Sequence, residues 1–180
     1  MTRRILTVTT MAVIGIAAAG TVETPTKLIW NATASAPVGF YTVATADRIE
    51  VSELVAVMPP EPLAGFMIER GYIGRGVPLL KRVVGLPGQR ICRTGRTIAV
   101  DGIEMGEALE RDSLGRELPV WQGCRTVREG ELFLMNWQVR DSLDGRYFGP
   151  IPASSVIGRA RPLWTDEEGD GRFIWRAQTQ

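Results

Sequence analysis

The sequence predicts a mainly β domain behind a single apolar N-terminal segment, and three observations carry that expectation. The 11 prolines and 20 glycines are scattered through the 180 residues, which suits short strands and turns better than a helical bundle. Short runs rich in Val, Ile and Leu end repeatedly at Gly, Pro or Asp-Gly. The one long apolar run, Ile5 to Val22, lies at the N-terminus.

At 1.5 Å per helical residue that run reaches roughly 27 Å, close to the ~30 Å of a bilayer core. Arg3 and Arg4 precede it and are expected to stay cytoplasmic, which sends the rest of the chain across the membrane. Ala17-Ala18-Ala19 also offers an A-x-A-like cleavage site. A retained anchor and a removed signal segment therefore both stay open, and both export the domain. Residues 1–24 are read as this segment and residues 25–180 as one exported domain, of a size to bury a single core.

The formal charge is +1, with arginines interleaved among acids, so no nucleic-acid footprint is expected. Two cysteines and no histidine are too few ligands for a Cys/His zinc site, and no metal or cofactor is expected. In an oxidising compartment Cys92 and Cys124 are expected to form a disulfide, since no histidine is present to activate either as a working thiol.

The first chemically suggestive stretch is Thr33-Ala34-Ser35-Ala36-Pro37-Val38-Gly39. Small residues around Ser35 leave space for another backbone to approach, and Pro37 and Gly39 break any regular helix. The same residues would also serve as an exposed linker. Val51 to Met58 follows as an apolar run closed by Pro59-Pro60.

Leu79 to Gly85 reads as a strand in which Leu79, Lys81 and Val83 share one face, with Gly85 to Gly88 as the following turn. Of 21 basic residues only Lys27 and Lys81 are lysines, so Lys81 is a marked choice. An ammonium among Leu and Val loses hydration, which lowers its pKa and leaves a neutral amine able to take a proton, as arginine cannot. A gatekeeper lysine on an edge strand is the plainer reading of the same pattern.

Thr97 to Val100 before Asp101-Gly102 reads as one arm of a hairpin, and Leu132 to Met135 as a short strand. Between them, Glu107 to Gly123 has no clear period and reads as an excursion that carries specificity. Thr165 to Gly171 is acidic and polar, so the C-terminal residues are expected to form a loosely held tail.

Thr33 to Tyr41, Gly76 to Gly88, and Asp141-Ser142-Leu143-Asp144-Gly145-Arg146 through Pro152 together resemble the Ser box, the Lys box and the last box of the type I signal peptidase superfamily. The Ser-x-Pro-x-Gly-x-Tyr form of the first box is most similar to the conjugative-transfer signal peptidases of the TraF type. The resemblance implies a coiled β-sheet domain behind one transmembrane or signal helix. It also implies a Ser-Lys dyad of Ser35 as nucleophile and Lys81 as general base, with the Ser35 N–H and the Thr33 hydroxyl as oxyanion-hole donors. Ser142, Asp144 and Arg146 match supporting positions.

A carboxylate bonded directly to Lys81 would raise its pKa, so an indirect role is expected for Asp144; a plain Asp144-Gly145 turn is the alternative. Where general signal peptidases carry Gly-Asp-Asn, this chain has Asn136-Trp137-Gln138.

The implied activity is a serine endopeptidase that trims a conjugative pilin precursor or a related exported protein. It would act at the inner membrane with its catalytic domain in the periplasm, or free in the periplasm if the segment is removed. The implied partners are the preprotein, the membrane and other proteins of the conjugation apparatus. The alternatives are a general signal peptidase and a non-catalytic, pilin-binding component of a transfer apparatus.

Overall fold

A computed structural model describes residues 10–11, 28–46 and 48–178. The expected membrane segment at 1–24 therefore lies outside the described residues, positions 10 and 11 aside. Among the described residues no helix is long and apolar enough to cross a membrane.

The domain is mainly β, as the sequence predicts. Seven strands form the main sheet in the order β1 (Leu28–Asn31), β2 (Val38–Ala44), β11 (Val156–Asp166), β3 (Leu54–Val57), β4 (Leu79–Gly85), β9 (Glu131–Leu134) and β10 (Ile151–Pro152), and β12 (Ile174–Trp175) adds to β11. A second sheet runs β7 (Ile103–Glu107), β6 (Thr97–Val100), β5 (Arg90–Thr94), β8 (Gly123–Thr126). All pairings are antiparallel.

The local chemistry explains the elements. β3 is buried along its whole length because both neighbours, β11 and β4, flank it in mid-sheet, so it reads as an unbroken apolar run. Asp101 and Gly102 both take positive φ, the two-residue turn that matches strand twist, and Ile103–Glu107 supplies the other arm of the hairpin. Cys92 and Cys124 are cross-strand partners of β5 and β8 and form a disulfide.

Two helices have no counterpart in the sequence reading. α1 (Leu63–Glu69) and α2 (Gly145–Phe148) are too short for a 3.6-residue period to show. Asp144 caps α2 by accepting the Arg146 N–H at 3.2 Å. Gly145 is obligatory there, since a Cβ would lie 2.6 Å from the Leu134 carbonyl oxygen.

The expectation of a loose acidic tail is overturned. Thr165 is fully buried, and the Asp166 carboxylate accepts the backbone N–H groups of Asp170 and Gly171. That turn brings β12 back onto β11 through Trp164 and Thr165. Acidic residues here satisfy turn donors, which composition alone does not distinguish from solvation.

Ile29, Tyr41, Val43, Leu54, Ala56, Leu80 and Ala160 form the core on one side of the main sheet, and Val55, Val57, Val83, Leu132, Leu134 and Ile151 the core on the other. Ile91, Ile98, Val127, Phe133 and Met135 join the second sheet to β9. Trp30, Phe40, Trp164 and Phe173 stack into an aromatic group on β1, β2 and β11. Trp30, Trp164 and Trp175 are exposed.

Candidate active site

Ser35 sits on the turn between β1 and β2, and the side chain of Asn31 builds that turn. Its amide donates to the carbonyls of Thr33, Ala36 and Pro37 at 2.8, 2.9 and 3.1 Å, and its Oδ1 accepts from Thr33 N and Oγ1 at 3.2 and 2.9 Å. Tyr41, fully buried, donates its hydroxyl to Pro37 O at 2.7 Å. Gly39 closes the turn at φ 147°, where any Cβ would collide with the Trp164 carbonyl. The stretch is therefore a constrained loop that holds Ser35 half-buried and not the exposed linker that its composition would also allow.

Because Thr33 Oγ1 donates to Asn31 Oδ1, its 3.1 Å contact with Ser35 Oγ takes the Ser35 proton. The Ser35 backbone N–H has no hydrogen-bond partner among the described residues.

Lys81 lies in β4, paired to Val55 of β3, and is only 3% exposed. Burial pulls its pKa from 10.5 down to about 8; the nearby Asp144 charge opposes that shift, and Arg146 adds to it. Lys81 Nζ donates to Ser142 Oγ at 2.7 Å. Ser35 and Lys81 line one pocket of about 230 Å³ with Thr33, Met67, Leu79 and Ser142. No direct hydrogen bond joins Ser35 Oγ to Lys81 Nζ, a common looseness in unliganded active sites.

Asp144 does not bond Lys81. Its carboxylate pairs with Arg146 through Nε at 2.9 Å and Nη2 at 2.8 Å and accepts the Asn136 N–H at 3.1 Å. Both side chains of the pair are almost fully buried. Arg146 spends its remaining donors on the carbonyls of Val139, Arg140 and Ser142 at 2.7, 3.0 and 3.2 Å. The ion pair thus fixes the loop that carries Ser142 and, through it, the position of the Lys81 amine.

Asn136 is the residue that sequence reasoning missed. Its Oδ1 accepts Arg82 N at 2.9 Å, and its Nδ2 donates to Leu80 O at 3.1 Å and to Ser35 O. One buried amide therefore clamps the backbone on both sides of Lys81 to the backbone of Ser35. The departure from Gly-Asp-Asn at this position was visible in the sequence, but nothing local indicates what the amide would reach.

The signal peptidase family, peptidase S26, matches residues 1–164. The conjugal transfer protein TraF of Agrobacterium fabrum is 38% identical over 147 residues, 75% of this chain and 81% of that protein. A plasmid transfer protein TraF of Escherichia coli is 33% identical over 145 residues, with the same coverage. Among solved structures, a signal peptidase I from Enterococcus faecalis aligns at TM-score 0.38 and 22% identity over 64% of this chain and 98% of that one. On the extent of the family match, the chain belongs to the signal peptidase family S26.

Proposed function

We propose that this chain is a Ser-Lys serine endopeptidase, with Ser35 as nucleophile and Lys81 as general base. The observation that carries this reading is the meeting of a constrained, half-buried serine and a desolvated lysine in one pocket. A lysine near pKa 8 is neutral in about a tenth of molecules at pH 7, against well under a thousandth for an ordinary lysine.

The Ser35 hydroxyl turns from Thr33 toward Lys81, whose neutral amine removes its proton as Oγ attacks the scissile carbonyl. The tetrahedral oxyanion is held by the free Ser35 N–H and by Thr33 Oγ1, which exchanges its bond to Asn31 for one to the oxyanion. The protonated Lys81 passes its proton to the leaving amine, and an acyl group remains on Ser35. Water then adds with Lys81 again as base, which releases the acid and restores the serine. Ser142 steers the amine through this cycle.

The substrate is the precursor of a conjugative pilin or a related exported protein, a reading supported by the resemblance to TraF proteins over most of the chain. The domain works at the outer face of the inner membrane. The apolar run Ile5 to Val22 supports that location, as does the exposed aromatic face of Trp30, Trp164 and Trp175, since tryptophan favours bilayer interfaces.

The deciding experiment is cleavage of a co-expressed pilin precursor by wild type, Ser35→Ala, Lys81→Ala and Lys81→Arg at matched protein levels. All three variants are expected to be inactive. Cutting by Ser35→Ala or Lys81→Arg would overturn the dyad, and cutting of a broad set of preproteins would replace the pilin reading with a general signal peptidase.

A further inference from the structure

The helix α2 is a single turn, too short to hold itself in water, yet it begins at the Asp144–Arg146 pair that orders the Ser142 loop. Its last carbonyls have no helical partner to accept from. The second sheet supplies one. Arg93 of β5, only 3% exposed, donates Nη1 to Arg146 O at 2.7 Å. Trp121, just before β8, donates Nε1 to Gly145 O at 3.1 Å.

Arg125 of β8 completes the grip. Its guanidinium stands 4.7 Å from the Trp121 ring centroid, and a Cβ on Gly149, the residue that ends α2, would collide with Arg125 Nη2. The Trp121 ring also meets Phe133 of β9 edge-on, with centroids 6.4 Å apart. Trp121 is thus held on two sides with its N–H directed at α2.

The disulfide sits behind this grip. Cys92 and Cys124 are partners across β5 and β8, and side chains alternate along a strand, so their neighbours Arg93 and Arg125 share the opposite face, the one toward α2. β8 is the edge strand of its sheet and pairs only with β5 among the described residues. All four of its residues are exposed, and a strand that buries no face holds its register weakly. The covalent bond fixes that register, and with it Trp121 and Arg125.

We propose that Arg93 and Trp121 are positioning residues for cleavage, acting through α2 and the Ser142 loop on Lys81, and that the Cys92–Cys124 disulfide locks them in place, so that full activity requires it closed. This rests on the reading of Ser35 and Lys81 as the cutting pair in an exported domain. Closing the bond removes two electrons and two protons from the two thiols, which a disulfide-carrying oxidoreductase of that compartment accepts by thiol–disulfide exchange. The chain reaches its full rate only once that exchange has taken place.

The test uses the full chain in detergent micelles and a peptide spanning a pilin-precursor cleavage site, well below the unfolding midpoint of every form compared. Steady-state cleavage gives kcat and KM, and backbone hydrogen exchange over residues 139–144 reports the loop without any cutting. Cys124 is exposed, so dithiothreitol reaches the bond in the folded protein. Opening it is expected to lower kcat about tenfold with KM within about twofold, and Cys92→Ala/Cys124→Ala to match the reduced wild type. Trp121→Phe keeps a ring and loses one hydrogen bond, for which a fall in kcat of about three- to tenfold is expected. Arg93→Lys keeps a donor for Arg146 O and is expected to retain more activity than Arg93→Met. Exchange over 139–144 should speed up in each weakened form. Because the effect runs through Ser142, neither reduction nor Trp121→Phe should lower kcat further in a Ser142→Ala background.

Loop exchange unchanged by reduction and by Trp121→Phe overturns the proposal, as does faster exchange with unchanged kcat. A loss that persists at full size in the Ser142→Ala background overturns it too. If the double cysteine variant does not accumulate, reduced wild type supplies the same state. Cutting by Ser35→Ala brings down the dyad, while the exchange rates still decide whether the disulfide and Trp121 hold the loop.

Discussion

Lys81 Nζ donates to Ser142 Oγ at 2.7 Å, while Asp144, the carboxylate whose charge acts most on that amine, bonds Arg146 and Asn136 instead. A hydroxyl partner orients the amine without adding the charge that would hold its proton on. The acid fixes the loop instead, and burial outweighs its opposing charge, so Lys81 keeps a depressed pKa.

Ser142→Ala is therefore expected to lower kcat by about 10- to 100-fold, in line with the 1.5–3 kcal/mol of a hydrogen bond to a charged group, while Ser142→Thr keeps most activity. Single-turnover cleavage of a peptide substrate checks this. Equal activity of Ser142→Ala and wild type would remove Ser142 from the site.

Lys81 also sets a pH dependence. In the proposed dyad Lys81 acts when neutral, so kcat/KM should rise with pH and level off above about 8. Stability has its own sign. With the folded pKa at about 8 and the ordinary value at 10.5, the unfolded chain binds the extra proton between those values, so stability rises with pH across that window, by up to about 3 kcal/mol. Denaturant midpoints of wild type against Lys81→Met from pH 7 to 11 measure it, and a flat difference would refute it.

Asn136→Ala leaves Leu80 O, Ser35 O and Arg82 N without their side-chain partner. A loss of about 1–3 kcal/mol of stability is expected for each group left buried and unpaired, together with a fall in kcat because Ser35 and Lys81 lose their common clamp. Thermal unfolding and turnover measured on the same preparation test the coupling. A stability loss with unchanged kcat would make Asn136 purely structural.

Arg146→Met should be among the most damaging substitutions in the domain, about 3–5 kcal/mol, because it strands the fully buried Asp144 carboxylate. Asp144→Leu combined with Arg146→Met is expected to recover part of that stability but not activity, since the carbonyls of Val139 and Ser142 lose the donor that orders their loop. Guanidinium unfolding of the single and double variants distinguishes the two effects.

Thr33→Val removes the proposed second oxyanion donor and the bond to Asn31 together. kcat is expected to fall about 100- to 1,000-fold with little change in KM, and Thr33→Ser to retain most activity. An equal loss from Asn31→Ala would assign the effect to the turn and not to the oxyanion.

By itself the sequence determined the strand that carries Lys81, the turn residues around Ser35, the hairpin at Asp101-Gly102 and the mainly β character. Each follows from residue types a few positions apart, through alternation, turn preference and the choice of lysine over arginine. The tertiary structure alone decided which distant groups meet. Asn136 reaches Ser35 across 101 residues and Leu80 across 56, and Tyr72 reaches Asp112 across 40. Those contacts depend on strand order and register, which pack β9 beside β4 and leave the excursion to fold back on α1. A side-chain amide or carboxylate carries no local mark of the partner it will find. The acidic stretch after Thr165 shows the same limit, since its carboxylates look solvated in sequence and cap a turn in space.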